Sequence, residues 1–450
     1  MGSFLSILKY FSVAEFIMKK MIGIRREDKN IWERRVPLIP EHTNKLFLEH
    51  GIQTVLQPFE RRAFGEQEYI DCNAEFNEDL SECPIVIAVK EIPIPMILKG
   101  KTYMFFSHTI KGQSYNMPLL QKIIESKSTL IDYECIKNEE GKRLVFFGHF
   151  AGVVGMIDTL HGLGKRLKSK GLSNPLEDIK PAYAYKDIYD AKAQLKIVAD
   201  RFKDEGMPDI GSPYVFGYLG YGNVSKGAQE ILDIFPLEEI NPDELSGLKT
   251  YSSNKFYKAV FKEKHLVKTI DPNDKFELLD YFNNPEKYES KFENYIPYLS
   301  VILNCIYWNE KYPRFVTKEY LKSQESRKLE IICDITCDIN GAIEITYKST
   351  PSDNPAYVYN PNTDAYVDGY SGDGVVNIAV DNLPTELPKS ASIEFSNSLF
   401  PLMPGIVNAD LSLPFSDVNY PPEVKRAVVV YKGDLTPNFE YLKEFLYNLI

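Results

Sequence analysis

The sequence predicts an α/β fold built on parallel sheets, and three observations carry that prediction. Two apolar runs, IVIAV at 85–89 and YMFF at 103–106, have the length and the branched or aromatic content of buried strands. A helix-sized connection separates them, as parallel pairing requires. Further along, YVFGYL at 214–219 runs through a glycine-containing turn into a helical stretch. The 450 residues are too many for one core and suggest two or three domains.

The totals narrow the function. A hydrophobic content of 44% and a charged content of 26% are those of a globular protein. A net charge of −11 argues against nucleic acid as a general partner, but leaves room for an anionic small substrate held by a local cluster of cations. No stretch of 18 apolar residues suggests a membrane span. Cysteines 72, 83, 135, 305, 333 and 337 form no CxxC pair and have no histidine at ligand spacing. They read as reduced thiols of an intracellular protein, and no metal site is expected. Residues 1–20 are amphipathic, but they lack arginine and carry Glu15. A mitochondrial presequence is therefore weakly supported, and a cytoplasmic protein with a short surface extension is the plainer reading.

The elements follow in order. MIGI at 21–24 is a strand that runs into Arg25, Arg26 and Glu27, then Glu33, Arg34 and Arg35. Four arginines in eleven residues can be a solvated face. Following a strand end, one of them can instead grip a carboxylate. Residues 41–50 read as a helix stopped by Gly51, 52–58 as a strand and 66–80 as a helix. The 85–89 strand ends at Lys90 and the 103–106 strand at His108. An amphipathic stretch follows at 114–126, then the strand 129–134 with Asp132 and Glu134, and a turn at 139–143 into an apolar run at 144–150. Any one charged strand end is unremarkable; a series of them suggests the floor of an active site. An amine and an imidazole on neighbouring strand ends make an acid–base pair, although two surface-capping residues would look the same. Residues 151–171 form a long helix with small residues at its start, and a domain boundary falls after it.

The second landmark is Gly220-x-Gly222-x-x-Ser225, between the strand at 214–219 and a helix. That is the context of a dinucleotide phosphate turn, with serine where the third glycine usually stands. The next strand ends near Ile240. Asn241 offers no acid there for the ribose of NAD, which leans towards NADP. Residues 245–295 read as a helical insertion, 301–308 and 328–338 as strands, 349–374 as a polar loop and 375–388 as a last strand with a rigid turn. The tail reads as helical near 390–403 and 436–449.

IRREDKNIWERRVPLIPEH, IAVKEIP, FFSHTIKGQ, LIDYE, GHFAGVVGMIDTLHGLG, GNVSKGAQE, NCIYWNEKYPR, CDITCDINGAIE and VDNLPTELPKSAS occur in that order. Together they resemble the lysine–ketoglutarate reductases, the L-lysine-forming saccharopine dehydrogenases found as the N-terminal half of aminoadipic semialdehyde synthase. The pattern is more distantly similar to alanine dehydrogenase and nicotinamide nucleotide transhydrogenase. The resemblance runs from about Ile22 to the chain end. It implies two Rossmann-like parallel-sheet domains with a nicotinamide cleft between them. Residues 22–175 would form a discontinuous catalytic domain completed by 376–450, and 176–375 the dinucleotide domain. It also implies reductive condensation of L-lysine with 2-oxoglutarate by NADPH to give saccharopine.

On that resemblance Lys90 and His108 are the acid–base pair. Arg35 holds a substrate carboxylate, Gln113 and Arg143 lie on the substrate side, and Glu134 tunes the lysine. Gly220, Gly222 and Ser225 form the phosphate turn, while Asp334, Asp338 and Asn382 face the nicotinamide. A saccharopine-cleaving dehydrogenase would act next, on another protein or on a longer chain of which this is a part. A homo-oligomer is compatible with the family. Two other readings are an ammonia-dependent amino-acid dehydrogenase and a nucleotide-binding sensor without activity.

Overall fold

The computed structural model describes residues 20–324 and 328–447. The extension expected at 1–20 lies outside them, apart from Lys20, as does the end of the helix expected at 436–449. Chain contacts divide the protein into two units. One runs up to Phe146 and resumes at Pro388; the other is Phe147–Leu387.

In the first unit the strands are β1 (Met21–Ile24), β2 (Gln53–Leu56), β3 (Glu75–Phe76), β4 (Ile85–Ile87), β5 (Thr102–Phe105) and β6 (Thr129–Asp132). The helices between them include α1 (Pro40–His50) and α2 (Met117–Glu125). Helix α1 stops as predicted at Gly51. Its φ of 64° suits glycine, and its N–H returns to the Leu46 and Phe47 carbonyls. All six strands are parallel, in the order 6-5-4-1-2-3. The chain leaves β1 for β2 on one side and later returns to β4 on the other. The carboxyl ends of β1 and β4 are therefore the switch point where such sheets bind ligands. Two expectations change here. Only Glu66–Ile70 of the helix expected at 66–80 is helical, because the chain then turns to add β3 at the sheet edge. The apolar run at 144–150 forms no strand. Arg143 bridges back to Lys137, and the following residues enter a helix at Gly148.

The second unit opens with that helix, α3 (Gly148–Ser169), followed by α4 (Ile188–Glu205). Then come β7 (Val215–Leu219), α5 (Asn223–Leu232), β8 (Leu237–Glu239) and β9 (Phe256–Phe261). A small antiparallel pair, β10 (Val267–Thr269) and β11 (Tyr288–Ser290), precedes β12 (Val301–Asn304) and β13 (Ile331–Asp334). A hairpin, β14 (Ala356–Asn360) and β15 (Ala365–Asp368), precedes β16 (Val375–Ile378). The sheet order is 15-14-16-13-12-7-9-8, parallel except for the hairpin. Helix α3 was expected to close the first domain. It packs instead on α5, where a side chain at Gly152 would collide with the Val224 carbonyl and one at Gly227 with the His149 carbonyl. The unit boundary accordingly falls at Phe147 rather than near 175.

The stretch 245–295 is not a helical insertion, since β9 within it is an internal strand of the sheet, between β7 and β8. Lys258 at its middle obscures the apolar pattern; its stem is buried while its ammonium reaches Asp233 at 2.9 Å. The loop expected at 349–374 contains the β14–β15 hairpin, where Tyr357 meets the Tyr366 ring edge to face and Tyr359 meets it at a tilt.

After β16 the chain returns to the first unit through α6 (Pro388–Leu399). β16 is not the last strand. β17 (Val428–Tyr431) and β18 (Asp434–Leu435) extend the first sheet antiparallel beside β6. Both sheets thus have eight strands with helices packed on them, a two-domain Rossmann-type α/β fold. Among the described residues no helix is long and apolar enough to cross a membrane.

Candidate active site

The first cluster lies at the carboxyl ends of β1, β4, β5 and β6. Strands β4 and β5 are direct neighbours, and the ladder continues past them as the Phe106 N–H donates to the Val89 carbonyl at 3.1 Å. Lys90 and His108 therefore leave adjacent strand ends, as the sequence suggested. The backbone at Lys90 is clamped by Glu27. One Glu27 carboxyl oxygen accepts from the Val89 N–H at 2.6 Å, and the other from the Lys90 N–H at 3.0 Å. Burial, reinforced by the charge of Glu33, pushes the Glu27 carboxyl up to about 8. Lys90 itself is depressed below the usual amine range. Burial is the main cause, the Arg35 charge adds to it, and Glu33 opposes it. Among the described residues its ammonium forms no ion pair, the state a lysine base needs.

Arg35 is buried and grips Glu33 in a fork, through Nε at 2.8 Å and Nη2 at 2.6 Å. Burial works against ionisation of Glu33, but the Arg35 charge and hydrogen bonds outweigh it and hold the carboxyl below its usual range. Two groups thus act on Lys90: a carboxyl kept largely neutral at its backbone, and the Arg35–Glu33 ion pair, whose two charges shift the amine in opposite directions.

His108 has a φ of 53°, a left-handed conformation costly for a residue with a side chain. Its carbonyl is held by Asn116 Nδ2 at 3.0 Å. Its Nδ1 lies 2.6 Å from Glu91, which also takes Lys29 at 2.8 Å. Burial disfavours the Glu91 charge, but bonds from His108 and Lys29 overcome it and hold the carboxyl at about 2. An ionised Glu91 only accepts, so Nδ1 carries the proton of this bond and Nε2 is the ring nitrogen not held by Glu91. Asp132 at the end of β6 pins the start of the His108 loop. It accepts from the Ser107 N–H at 3.1 Å and from the Ser107 hydroxyl.

Of the other expected substrate-side residues, Glu134 lies 3.5 Å from Arg143, and the Arg143 guanidinium sits 6.0 Å from the Phe106 ring centroid. Glu134 therefore partners Arg143, while the carboxylates acting on Lys90 are Glu33 and Glu91. Gln113 is exposed and accepts from the Tyr115 hydroxyl at 2.8 Å. Sequence reasoning missed Glu27, Glu33 and Glu91. Adjacency in VKE was a signal for Glu91; the folding back of 27 and 33 left none.

The second cluster is the glycine turn of the other unit. Gly220 has a φ of 93°, and a Cβ there would meet Ile306 at 2.7 Å. Gly222 precedes α5, with open space where a Cβ would project and no side chain capping the helix. This geometry fits a dinucleotide: the tight turn, a backbone free to approach a pyrophosphate and unsatisfied helix N–H groups. Ser225 is buried and bonds Gln229 at 3.0 Å. Close packing, the usual task of the third glycine, passes to Gly227 against α3. β7 lies between β9 and β12, so β8, which ends before Asn241, is not its neighbour.

Asp334 at the end of β13 is buried. It accepts from Asn304, Thr336, Cys337 and Thr346 at 2.6–3.2 Å. Asp338 and Asn382 are half-buried on the loops after β13 and β16.

Comparison with known proteins matches two stretches of the chain to one family. Residues 23–154 match the N-terminal domain, and residues 239–438 the C-terminal domain, of alanine dehydrogenase/PNT. The chain belongs to the alanine dehydrogenase/PNT family. Over 445 residues it is 38% identical to the alpha-aminoadipic semialdehyde synthase of Arabidopsis thaliana, covering 94% of this chain and 41% of that protein. The mitochondrial enzyme of that name from Rattus norvegicus is 35% identical, with coverage of 95% and 48%. The chain thus spans about half the length of these relatives. A saccharopine dehydrogenase [NAD(+), L-lysine-forming] of Emericella nidulans is 25% identical over 390 residues, covering 84% of this chain and 90% of that one. Among solved structures, an L-alanine dehydrogenase superposes with a TM-score of 0.60 at 16% identity, covering 96% and 100%.

Proposed function

We propose that this alanine dehydrogenase/PNT family member is an oxidoreductase of lysine degradation. It joins the ε-amine of L-lysine to 2-oxoglutarate and reduces the resulting imine to saccharopine, reversibly. The observation that carries the reading is Lys90, an amine of lowered basicity with no ion-pair partner among the described residues, beside His108 at the next strand end, which Glu91 orients. The relatives named for aminoadipic semialdehyde synthase and saccharopine dehydrogenase support the substrate class.

Lys90 in its neutral form takes a proton from the substrate ammonium, freeing the amine to attack the ketone. Expulsion of water from the carbinolamine needs a proton delivered to the leaving hydroxyl, and Lys90, now protonated, returns it. His108 Nε2 holds the nitrogen of the imine and exchanges its proton as reduction proceeds. Arg143 gives up Glu134 for a substrate carboxylate, with Gln113 at the same side, while Arg35, held by Glu33, acts through its charge on Lys90. Gly220, Gly222 and the first turn of α5 hold the pyrophosphate of a nicotinamide dinucleotide, which supplies the hydride when bound. Asp338 and Asn382 serve the nicotinamide side, and Asp334 fixes the loop that carries Asp338.

The expected coenzyme, NADPH, rested on Asn241 and on the family resemblance. The test is oxidation of reduced nicotinamide by the purified chain. It should require lysine and 2-oxoglutarate together. Turnover with ammonia and pyruvate instead would replace this reading with an ammonia-dependent amino-acid dehydrogenase.

A further inference from the structure

The residue that stands beside the glycine turn is set by the sheet order, and it is not Asn241. Leu219 is in register with Phe261 on β9, and the Gly220 N–H donates to the Phe261 carbonyl at 3.0 Å. The chain leaving the neighbouring strand at the level of the phosphate turn is therefore Lys262-Glu263. Glu263 is half-buried, and the Tyr221 hydroxyl donates to its carboxylate at 3.3 and 3.4 Å. Its side chain borders a cavity of about 320 Å³ together with Gly220, Tyr221, Gly222, Phe261 and Trp308. That cavity opens beside the phosphate turn, and its aromatic lining suits the flat face of an adenine. Among the described residues no lysine or arginine is ion-paired with Glu263.

A carboxylate at this strand end accepts hydrogen bonds from the vicinal hydroxyls of an adenosine ribose. A ribose 2′-phosphate would bring two further negative charges against it. We propose that Glu263 sets the coenzyme of this site, accepting the ribose hydroxyls of NADH and excluding the 2′-phosphate of NADPH. The proposal rests on the dinucleotide reading above and reverses the leaning drawn from Asn241. Lys262 is its neighbour in the chain. It is exposed, with its ammonium 5.8 Å from the Tyr221 ring centroid, and solvent screens it more than the half-buried carboxylate.

The experiment is direct binding by calorimetry, with NADH and NADPH and with ADP-ribose and its 2′-phosphate, which lack the nicotinamide. NADH and ADP-ribose should bind at least about tenfold more tightly than their phosphorylated counterparts, as a like-charge contact in a partly desolvated site dictates. Glu263→Gln should close most of that gap by tightening NADPH, and Glu263→Arg should reverse it. Lys262→Ala should leave the order intact. Tighter binding of NADPH by the unaltered protein, or a preference unmoved in Glu263→Gln, would overturn the proposal. Failure of folded protein to bind any of the four would overturn it together with the dinucleotide reading. An NADH preference without turnover of lysine and 2-oxoglutarate would sustain Glu263 and overturn the substrate reading alone.

Discussion

The carboxyl group of Glu27 is bonded to the backbone of Lys90, 63 residues away, at 3.0 Å. The end of β1 thereby fixes the direction in which the amine leaves β4, so the switch point of the first sheet is a built feature and not a chance meeting of charges. Because Glu27 also takes the Val89 N–H, its loss would free two buried donors at once.

That contact predicts a pH effect of definite sign. The folded-state pKa of Glu27 is raised to about 8 from an ordinary value near 4.5. The folded protein therefore binds this proton more tightly than the unfolded chain. Its contribution is fully present below the unfolded value and is lost as pH rises towards about 8. Glu27→Gln removes the titration and should flatten the pH dependence of urea-unfolding stability between these limits; an unchanged slope would exclude Glu27 as its source.

Lys90 should show itself in the pH dependence of turnover. The Glu33 charge favours the Lys90 ammonium, so removing it lowers the Lys90 pKa further. In Glu33→Gln the acidic limb of kcat/KM should move to lower pH, and in Arg35→Met to higher pH. Movement of both in one direction would mean that the limb belongs to another group. Lys90→Ala should lower turnover by about 100- to 10,000-fold.

His108 separates stability from catalysis. Its left-handed backbone costs about 1 kcal/mol that glycine avoids. His108→Gly should be more stable than His108→Ala by about that amount, while both lose about 100- to 10,000-fold in turnover. Equal stabilities by thermal unfolding would show that the strain is absent.

Close packing of α3 on α5 makes a further prediction. Gly152→Ala and Gly227→Ala each drive a methyl into a backbone carbonyl, which cannot swing aside as a side chain can. Each should cost about 1–3 kcal/mol in denaturant unfolding, against a gain in helix propensity of about 1 kcal/mol.

The strands that position the site were legible because buried parallel strands are short apolar runs, and β1, β4, β5, β7 and β12 fell where such runs stand. Gly51 and Gly220 were legible because both adopt positive φ, which their residue type announces. β9 was hidden by Lys258, a buried lysine whose ammonium is taken up by Asp233, and with it went the sheet order that puts Glu263 rather than Asn241 beside the glycine turn. β17 was missed because its partner, β6, lies about 300 residues earlier in the chain. The chemistry of Lys90 was half legible: its place at a strand end was in the local sequence. Its partners Glu27 and Glu33 come from a loop that no local pattern connects to it.

One assay bears most directly on the central claim: the absorbance of reduced nicotinamide, followed with lysine alone, 2-oxoglutarate alone, and both. The account predicts loss of absorbance only in the complete mixture, with formation of saccharopine, and its disappearance in Lys90→Ala. Oxidation with 2-oxoglutarate and ammonia in place of lysine, or full activity in Lys90→Ala, would contradict it.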